Sequence, residues 1–171
     1  LLERYLDGDL PSVEELEATL AVGVDDATVF PVVCGSATDE VAVDRLADFI
    51  CEIGPSPADR PPVTVTAGDT TVEVAADPEG PTLLFVFKTI ADQFVGHLSL
   101  FRVLSGTLRA DDHLVNSRTG TDERLHALLR LRGAEQESVT ELVAGEIGAV
   151  AKLSDTLTGD TLAPRGRPVV A

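Results

Sequence analysis

The sequence has no initiator methionine, and no stretch combines a basic start, an apolar run and a small-residue cleavage site. No secretory leader is therefore expected. The opening, Leu1-Leu2-Glu3-Arg4-Tyr5-Leu6, reads as the inside of a helix, so the chain is expected to be a piece of a larger protein. No apolar run approaches 18 residues, so no membrane-spanning helix is expected. Cysteine is scarce. Cys34 and Cys51 stand too far apart for a metal-binding pair, and no C-x-x-C occurs. They are expected to be reduced thiols of a cytoplasmic protein. His97, His113 and His126 form no H-x-x-x-H pair, so no zinc site is expected.

Charge is plentiful but uneven. The net charge is -16. Residues 1–82 carry 18 acids against 3 arginines, whereas residues 83–171 carry 11 acids against 10 basic residues. An acidic surface repels nucleic acid, so any basic face must lie in the second half. The first half reads as a solvated acidic surface.

Residues 1–53 read as α/β. Ser12 can cap a helix, with Glu15 at the capping-box spacing, Val13, Leu16 and Leu20 on its apolar stripe, and Gly23 as its stop. The short apolar run Val29–Cys34 suits a strand covered on both faces of a parallel sheet, and Pro31 puts it early or at an edge. Gly35-Ser36-Ala37 follows as a tight turn. Thr38 or Asp39 is expected to cap a second helix, with Val43, Leu46, Phe49, Ile50 and Ile53 on one side and Gly54-Pro55 ending it.

Residues 54–82 hold six of the ten prolines and read as linker. Thr64, Thr66 and Thr70–Val74 have the propensity for edge strand. From Leu83 onward the pattern is short β segments punctuated by glycine: Leu83–Ile90, Leu98–Leu108, Leu114-Val115, Arg124–Arg132 and Ile147–Leu153. This spacing suggests a closed barrel. Alternation of Leu125, Ala127, Leu129 and Leu131 favours a strand over a helix for 124–132.

Signatures of independent chemistry are missing. There is no G-x-x-x-x-G-K-[ST] phosphate loop, no G-x-G-x-x-G and no G-x-S-x-G elbow. Asp77-Pro78-Glu79-Gly80 fits D-x-x-G but is foremost a turn. Lys152-Leu153-Ser154-Asp155 departs from N-K-x-D in both its first residue and its spacing. Asp111-Asp112 reads as a solvated turn. Two features remain. Gly35-Ser36-Ala37 lies at the carboxyl end of an expected parallel strand, where open α/β sheets meet their ligands. In addition, a strand over 124–132 puts Arg124, His126, Arg130 and Arg132 on one face, with Arg102, Arg109 and Arg118 on neighbouring segments. Such a face suits phosphate contacts, although a solvated barrel exterior explains it equally.

In this order the segments resemble translation elongation factor G and related ribosomal GTPases. The motifs that carry the resemblance run nearly end to end: Leu2-Glu3-Arg4-Tyr5-Leu6-Asp7-Gly8, Phe30–Ala37, Ile53-Gly54-Pro55-Ser56-Pro57, Asp77–Pro81, Phe87–Leu98, Phe101–Leu108, Ala144-Gly145-Glu146-Ile147 and Asp155–Leu162. The resemblance implies an α/β segment at the end of a P-loop GTPase (G) domain over 1–57. A linker over 58–82, an all-β translation-factor barrel (domain II) over 83–165 and the start of a further linker over 166–171 would follow.

It also implies that Gly35, Ser36 and Ala37 form part of a guanine-base site, that GTP or GDP with Mg²⁺ binds the full-length protein and not this piece alone, and that the partners are the protein's own G domain and small-subunit ribosomal RNA. Arg102, Arg109, Arg118, Arg124, Arg130 and Arg132 are the candidate RNA contacts. No catalytic residue, metal site or membrane partner is expected in the piece. Its apolar G-domain surface invites dimerisation. Three departures point to a divergent paralogue: His97 in place of the family's usual arginine, the acidic and threonine-rich stretch 64–74, and a total of two lysines. The alternative is a non-catalytic RNA- or protein-binding module, as in a ribosomal protection or release-type factor.

Overall fold

The structure is a computed structural model that describes residues 2–92, 96–133 and 135–171. It divides into two compact units, Leu1–Arg60 and Pro61–Ala171.

The first unit contains three helices, α1 (Leu2–Leu6), α2 (Val13–Asp25) and α3 (Val43–Ile53). The capping box forms as the spacing predicts. Ser12 Oγ accepts the Glu15 N–H at 3.2 Å, and Glu15 accepts the Ser12 N–H at 2.9 Å. Arg4 joins α1 to this cap, pairing with Asp9 at 2.7 Å and Glu15 at 2.8 Å. The Arg4 guanidinium, with help from the Ser12 N–H, holds the Glu15 carboxyl below the usual carboxylate range. Gly23 does not end α2, which runs on to Asp25. The glycine instead gives room to the returning chain: a Cβ there would lie 2.7 Å from Val29 Cγ2.

Two expectations for this unit need correction. Val29–Cys34 forms no strand, because no described segment pairs with it. Phe30 and Val32 accordingly stand 78% and 89% exposed. Helix α3 starts at Val43, later than a Thr38 or Asp39 cap predicts. Its N-cap is Ala42 in the left-handed region (φ 61°), with no side-chain cap, because Asp39 is engaged with Ser36 instead. Gly54 ends α3 as expected, its N–H bonding to Ile50 O.

The second unit is antiparallel β. Its strands are β1 (Val63–Ala67), β2 (Thr70–Val74), β3 (Leu83–Asp92), β4 (Gly96–Ser105), β5 (Thr107–Arg109), β6 (His113–Asn116), β7 (Asp122–Arg124), β8 (Leu128–Arg132), β9 (Glu135–Val139), β10 (Glu141–Val143), β11 (Ile147–Ala151) and β12 (Thr161–Ala163). Eight of them form one curled sheet in the order β7-β6-β12-β3-β4-β11-β8-β9. The sheet wraps a core of Leu84, Val86, Phe101, Val103, Leu128, Val150 and Leu162 without pairing its two edges to each other. The separate β5–β10 ribbon adds Leu108 and Leu142 to the same core. The all-β barrel expected here takes the form of a curled half-barrel, whose edge strands β7 and β9 do not pair among the described residues. Within the stretch expected to be linker, β1 and β2 form a hairpin, and Val65 packs on Leu83, Leu104 and Ala163. At the far end of the unit, Val170 pairs with Thr66 through reciprocal bonds of 2.7 and 2.8 Å.

Strand β3 changes face midway. Leu84 and Val86 point into the main core, yet Ile90 joins Leu98, Leu129 and Ala149 in another cluster. Strict alternation would put 84, 86 and 90 on one face. A register shift between Val86 and Lys88 reverses the parity by leaving Phe87 unpaired against β4, as a β-bulge does. Gln93, Phe94 and Val95 of the Phe87–Leu98 motif lie outside the described residues.

The segment 124–132 is two strands, not one. The chain leaves the ladder at Leu125–Ala127 and re-enters at Leu128. Leu128 and Leu129 are then both buried, in different clusters, so the leucine alternation does not describe a single face.

Buried carboxylates pin the loop before β12. Glu123, 2% exposed, accepts the Ser154 N–H and Asp155 N–H at 2.8 Å each and the Thr156 hydroxyl at 2.9 Å. Asp160 accepts Arg118 Nε at 2.6 Å, and Arg118 Nη2, Asn116 Nδ2 and the Leu157 N–H at 2.8 Å each. The Arg118 guanidinium, aided by the Leu157 and Asn116 N–H groups, lowers the Asp160 carboxyl to about 2 from 3.8.

Substitutions at Asp160 and at two glycines probe this unit. Asp160→Asn is expected to destabilise the chain by about 2 kcal/mol, the scale of hydrogen bonds to a charged group. Because the folded carboxyl is depressed, its contribution is complete above the unfolded value of 3.8 and disappears as pH falls towards about 2. Urea midpoints of the two proteins should therefore converge over that window; a gap independent of pH would sink the assignment. The glycines both have positive φ. A Cβ on Gly106 would lie 2.5 Å from Thr82 Cα, whereas Gly120 has nothing within 4 Å. Gly120→Ala should cost about 1–2 kcal/mol, the left-handed penalty alone. Gly106→Ala should cost clearly more, and equal losses in thermal melts would refute the close-packed corner.

Candidate functional site

The turn Gly35-Ser36-Ala37 lies where the chain leaves its extended segment. Ser36 and Val41 form an isolated bridge, with Ser36 N–H to Val41 O at 3.1 Å and Val41 N–H to Ser36 O at 2.9 Å. A side chain at Gly35 would collide with this bridge, since a Cβ there would lie 2.8 Å from Val41 O. Only glycine fits so close an approach. Inside the loop, the Ser36 hydroxyl donates to Asp39 Oδ2 at 2.8 Å and accepts the Asp39 N–H at 3.2 Å. Ala37 is exposed. The turn borders a recess of about 600 Å³ whose other walls include Val41, Leu46 and Phe49. Chemically, the turn can offer a backbone donor to a ligand carbonyl.

The sequence has no phosphate loop, and no group of three or more metal-ligating side chains comes together among the described residues.

The six candidate arginines do not form one face. Arg124, at the end of β7, pairs with Asp111 at 3.0 Å, and His126 shares that carboxylate at 3.1 Å. Arg130 on β8 pairs with Glu146 at 2.7 Å, which also caps the Val143 N–H. Arg109 lies 3.6 Å from Glu141 across the β5–β10 ribbon. Arg118 is committed to Asp160. Arg102 and Arg132 are exposed and have no ion pair among the described residues. On β4, Arg102 lies between Phe85 of β3 and Ile147 of β11, with exposed Lys88 opposite Leu100 next along the strand. Sequence reasoning missed Glu123 and Asp160, whose roles depend on partners about 30 to 40 residues away. The short-range signal available was the spacing of Leu157 and Asp160, which closes a turn on the aspartate.

No helix among the described residues is long and apolar enough to cross a membrane. Two comparisons bear on the fold just described. Residues 81–164 match the family model described as elongation factor G domain 2. The chain is also similar to a Thermus thermophilus protein of known crystal structure, at 30% identity and a TM-score of 0.72, over 98% of this chain. It spans 23% of that protein's length. The matched segment runs from the entry into β3 to just past β12, and this chain therefore carries, at residues 81–164, a curled antiparallel half-barrel that matches elongation factor G domain 2.

Proposed function

We propose that this chain is part of an elongation factor G-like translational GTPase that acts on the ribosome, in translocation or a related step, in the cytoplasm. The observation that carries the reading is the domain 2 match over 81–164, preceded by a turn with an outward-facing Ala37 that suits guanine-base contact. In this reading the first unit is the end of a G domain, and GTP or GDP with Mg²⁺ is bound by the full-length protein. Gly35, Ser36 and Ala37 supply only the base side of that site. Phosphate handling and hydrolysis belong to residues outside this chain.

The second unit meets its own G domain and small-subunit ribosomal RNA. Arg102 and Arg132, exposed and without carboxylate partners among the described residues, are the arginines best placed to meet phosphates. Arg109, Arg118, Arg124 and Arg130 would have to give up their carboxylates first. Phosphate contacts position a protein on RNA and make its binding sensitive to salt.

Two measurements test the reading. The full-length protein should sediment with ribosomes in the presence of a non-hydrolysable GTP analogue. Arg102→Ala with Arg132→Ala should weaken that binding and lower its salt slope by about 1 for each arginine–phosphate pairing removed, while Arg118→Ala should leave the slope unchanged. Absence of co-sedimentation would refute ribosome action. The chain of residues 1–171 alone should show no GTP binding in calorimetry, since the phosphate elements that dominate nucleotide affinity lie elsewhere. Micromolar binding would overturn that division of labour.

A further inference from the structure

We infer that the outer edge of β2 is a strand-addition site, which takes an extended segment of a partner protein in which apolar residues alternate with lysine or arginine. The inference does not rest on the ribosome reading above.

The free backbone groups follow from the ladder. Thr66 spends both its N–H and its C=O on Val170, at 2.7 and 2.8 Å. It therefore bonds away from β2, and Thr66–Thr71 is a non-hydrogen-bonded pair of the β1–β2 ladder. Such pairs alternate with bonded ones, so Thr64–Glu73 is another. On β2 the N–H and C=O groups of Thr71 and Glu73 accordingly point to the far edge, where no described segment pairs with them. Edge strands are commonly guarded by proline, lysine or a bulge. Thr70–Val74 has none of these: its register with β1 is unbroken, and its threonines and valines favour a strand.

Side chains decide what can pair there. Val72 and Val74 share a face with Val65. Val65 is 1% exposed, whereas Val72 directly opposite is 44% exposed, so the small core beneath covers only part of this face. Val72 and Val74 border a groove of about 460 Å³ whose other wall includes Pro164, Pro168 and Val169. Apolar side chains on an added strand would extend the cover over that groove. Arg167 also lines it, so a cation on this face would meet a like charge. The other face carries Thr71 and Glu73. Glu73 is exposed and has no ion pair among the described residues. A lysine or arginine across from it gains an opposite-charge pair. Apolar and basic residues must then alternate with the period of the strand. A second copy of the chain fits worse, because two β2 strands joined edge to edge would set both Glu73 carboxylates on one face. Strand addition takes its affinity from main-chain bonds and its specificity from such alternate side chains.

The test titrates the full-length protein into a fluorescein-labelled peptide, Lys-Val-Lys-Val-Lys-Val-Lys, with hydrogen exchange to locate the contact. A peptide of the same composition without alternation, Lys-Lys-Val-Val-Val-Lys-Lys, is the control. The alternating peptide should bind about fivefold or more tightly than the control and slow exchange at residues 71–73. Thr71→Pro removes an outward N–H and no β1–β2 bond, a place where an edge strand tolerates proline, and should abolish the preference. Glu73→Lys should weaken the alternating peptide about fivefold or more. Equal binding of the two peptides would reduce the effect to plain charge attraction and overturn the proposal, as would protection at β9 instead of β2. Protection at residues 71–73 before any peptide is added would assign the edge to another occupant, a second copy if it fades on dilution, and would also overturn it. If Thr71→Pro does not fold, Glu73→Lys decides alone, and an unchanged affinity there refutes the site.

Discussion

The barrel depends on two carboxylates taken out of water. Burying a polar group is costly unless it is hydrogen-bonded, and Glu123 and Asp160 meet that condition in different ways. Glu123 is surrounded by N–H and O–H donors from Ser154, Asp155 and Thr156. Asp160 takes a two-bond grip from Arg118 together with Asn116 and the Leu157 N–H. Between them they fix both ends of the irregular loop that delivers the chain into β12. That strand lies between β6 and β3, so its register joins the β6–β7 corner to the central strands. A loop without regular hydrogen bonds is thereby as determined as the ladder beside it.

The same economy governs the arginines. A near-neutral second half suggests freely available positive charge, yet much of it is consumed inside the fold. Arg118, Arg124, Arg130 and Arg109 each face a carboxylate. Exposed pairs of this kind add little stability, but they reduce the positive potential shown to a partner. The charge balance of a sequence segment is thus a poor guide to its surface field.

Much of the fold was legible where a local rule operates. The capping box at Ser12 and Glu15 involves neighbours three residues apart, and it formed as read. The β character of 83–153 and the break at Gly106 were equally visible, because turn glycines and β-branched runs act locally. The illegible parts all depend on distant partners. Val29–Cys34 has strand composition, but a strand exists only with another to pair with. The leucine run 124–132 alternates in sequence, but the chain leaves the ladder after Arg124, where Leu125 exchanges bonds with Asp111 and Asp112. In the candidate turn the glycine and serine stand out in the sequence, whereas the bonds between Ser36 and Asp39 do not. As a hydrophilic residue before a helix Asp39 reads as a cap, and only the fold shows it turned back to Ser36.

The pairing of Val170 with Thr66 has a mechanical consequence. In an antiparallel pair, the chain arriving at Thr66 and the chain leaving Val170 lie at the same end of the ladder. Tension applied through those two segments would load the pair in unzipping geometry, first on its two bonds of 2.7 and 2.8 Å, with the Ala171 N–H to Thr161 Oγ1 bond at 3.0 Å and the packing of Val169 behind them. This isolated bridge would yield before the longer ladders of the curled sheet, which share force across rows of bonds. The second unit thus has an attachment point at its margin that leans on the small Val65 cluster and stands apart from the main core around Phe101.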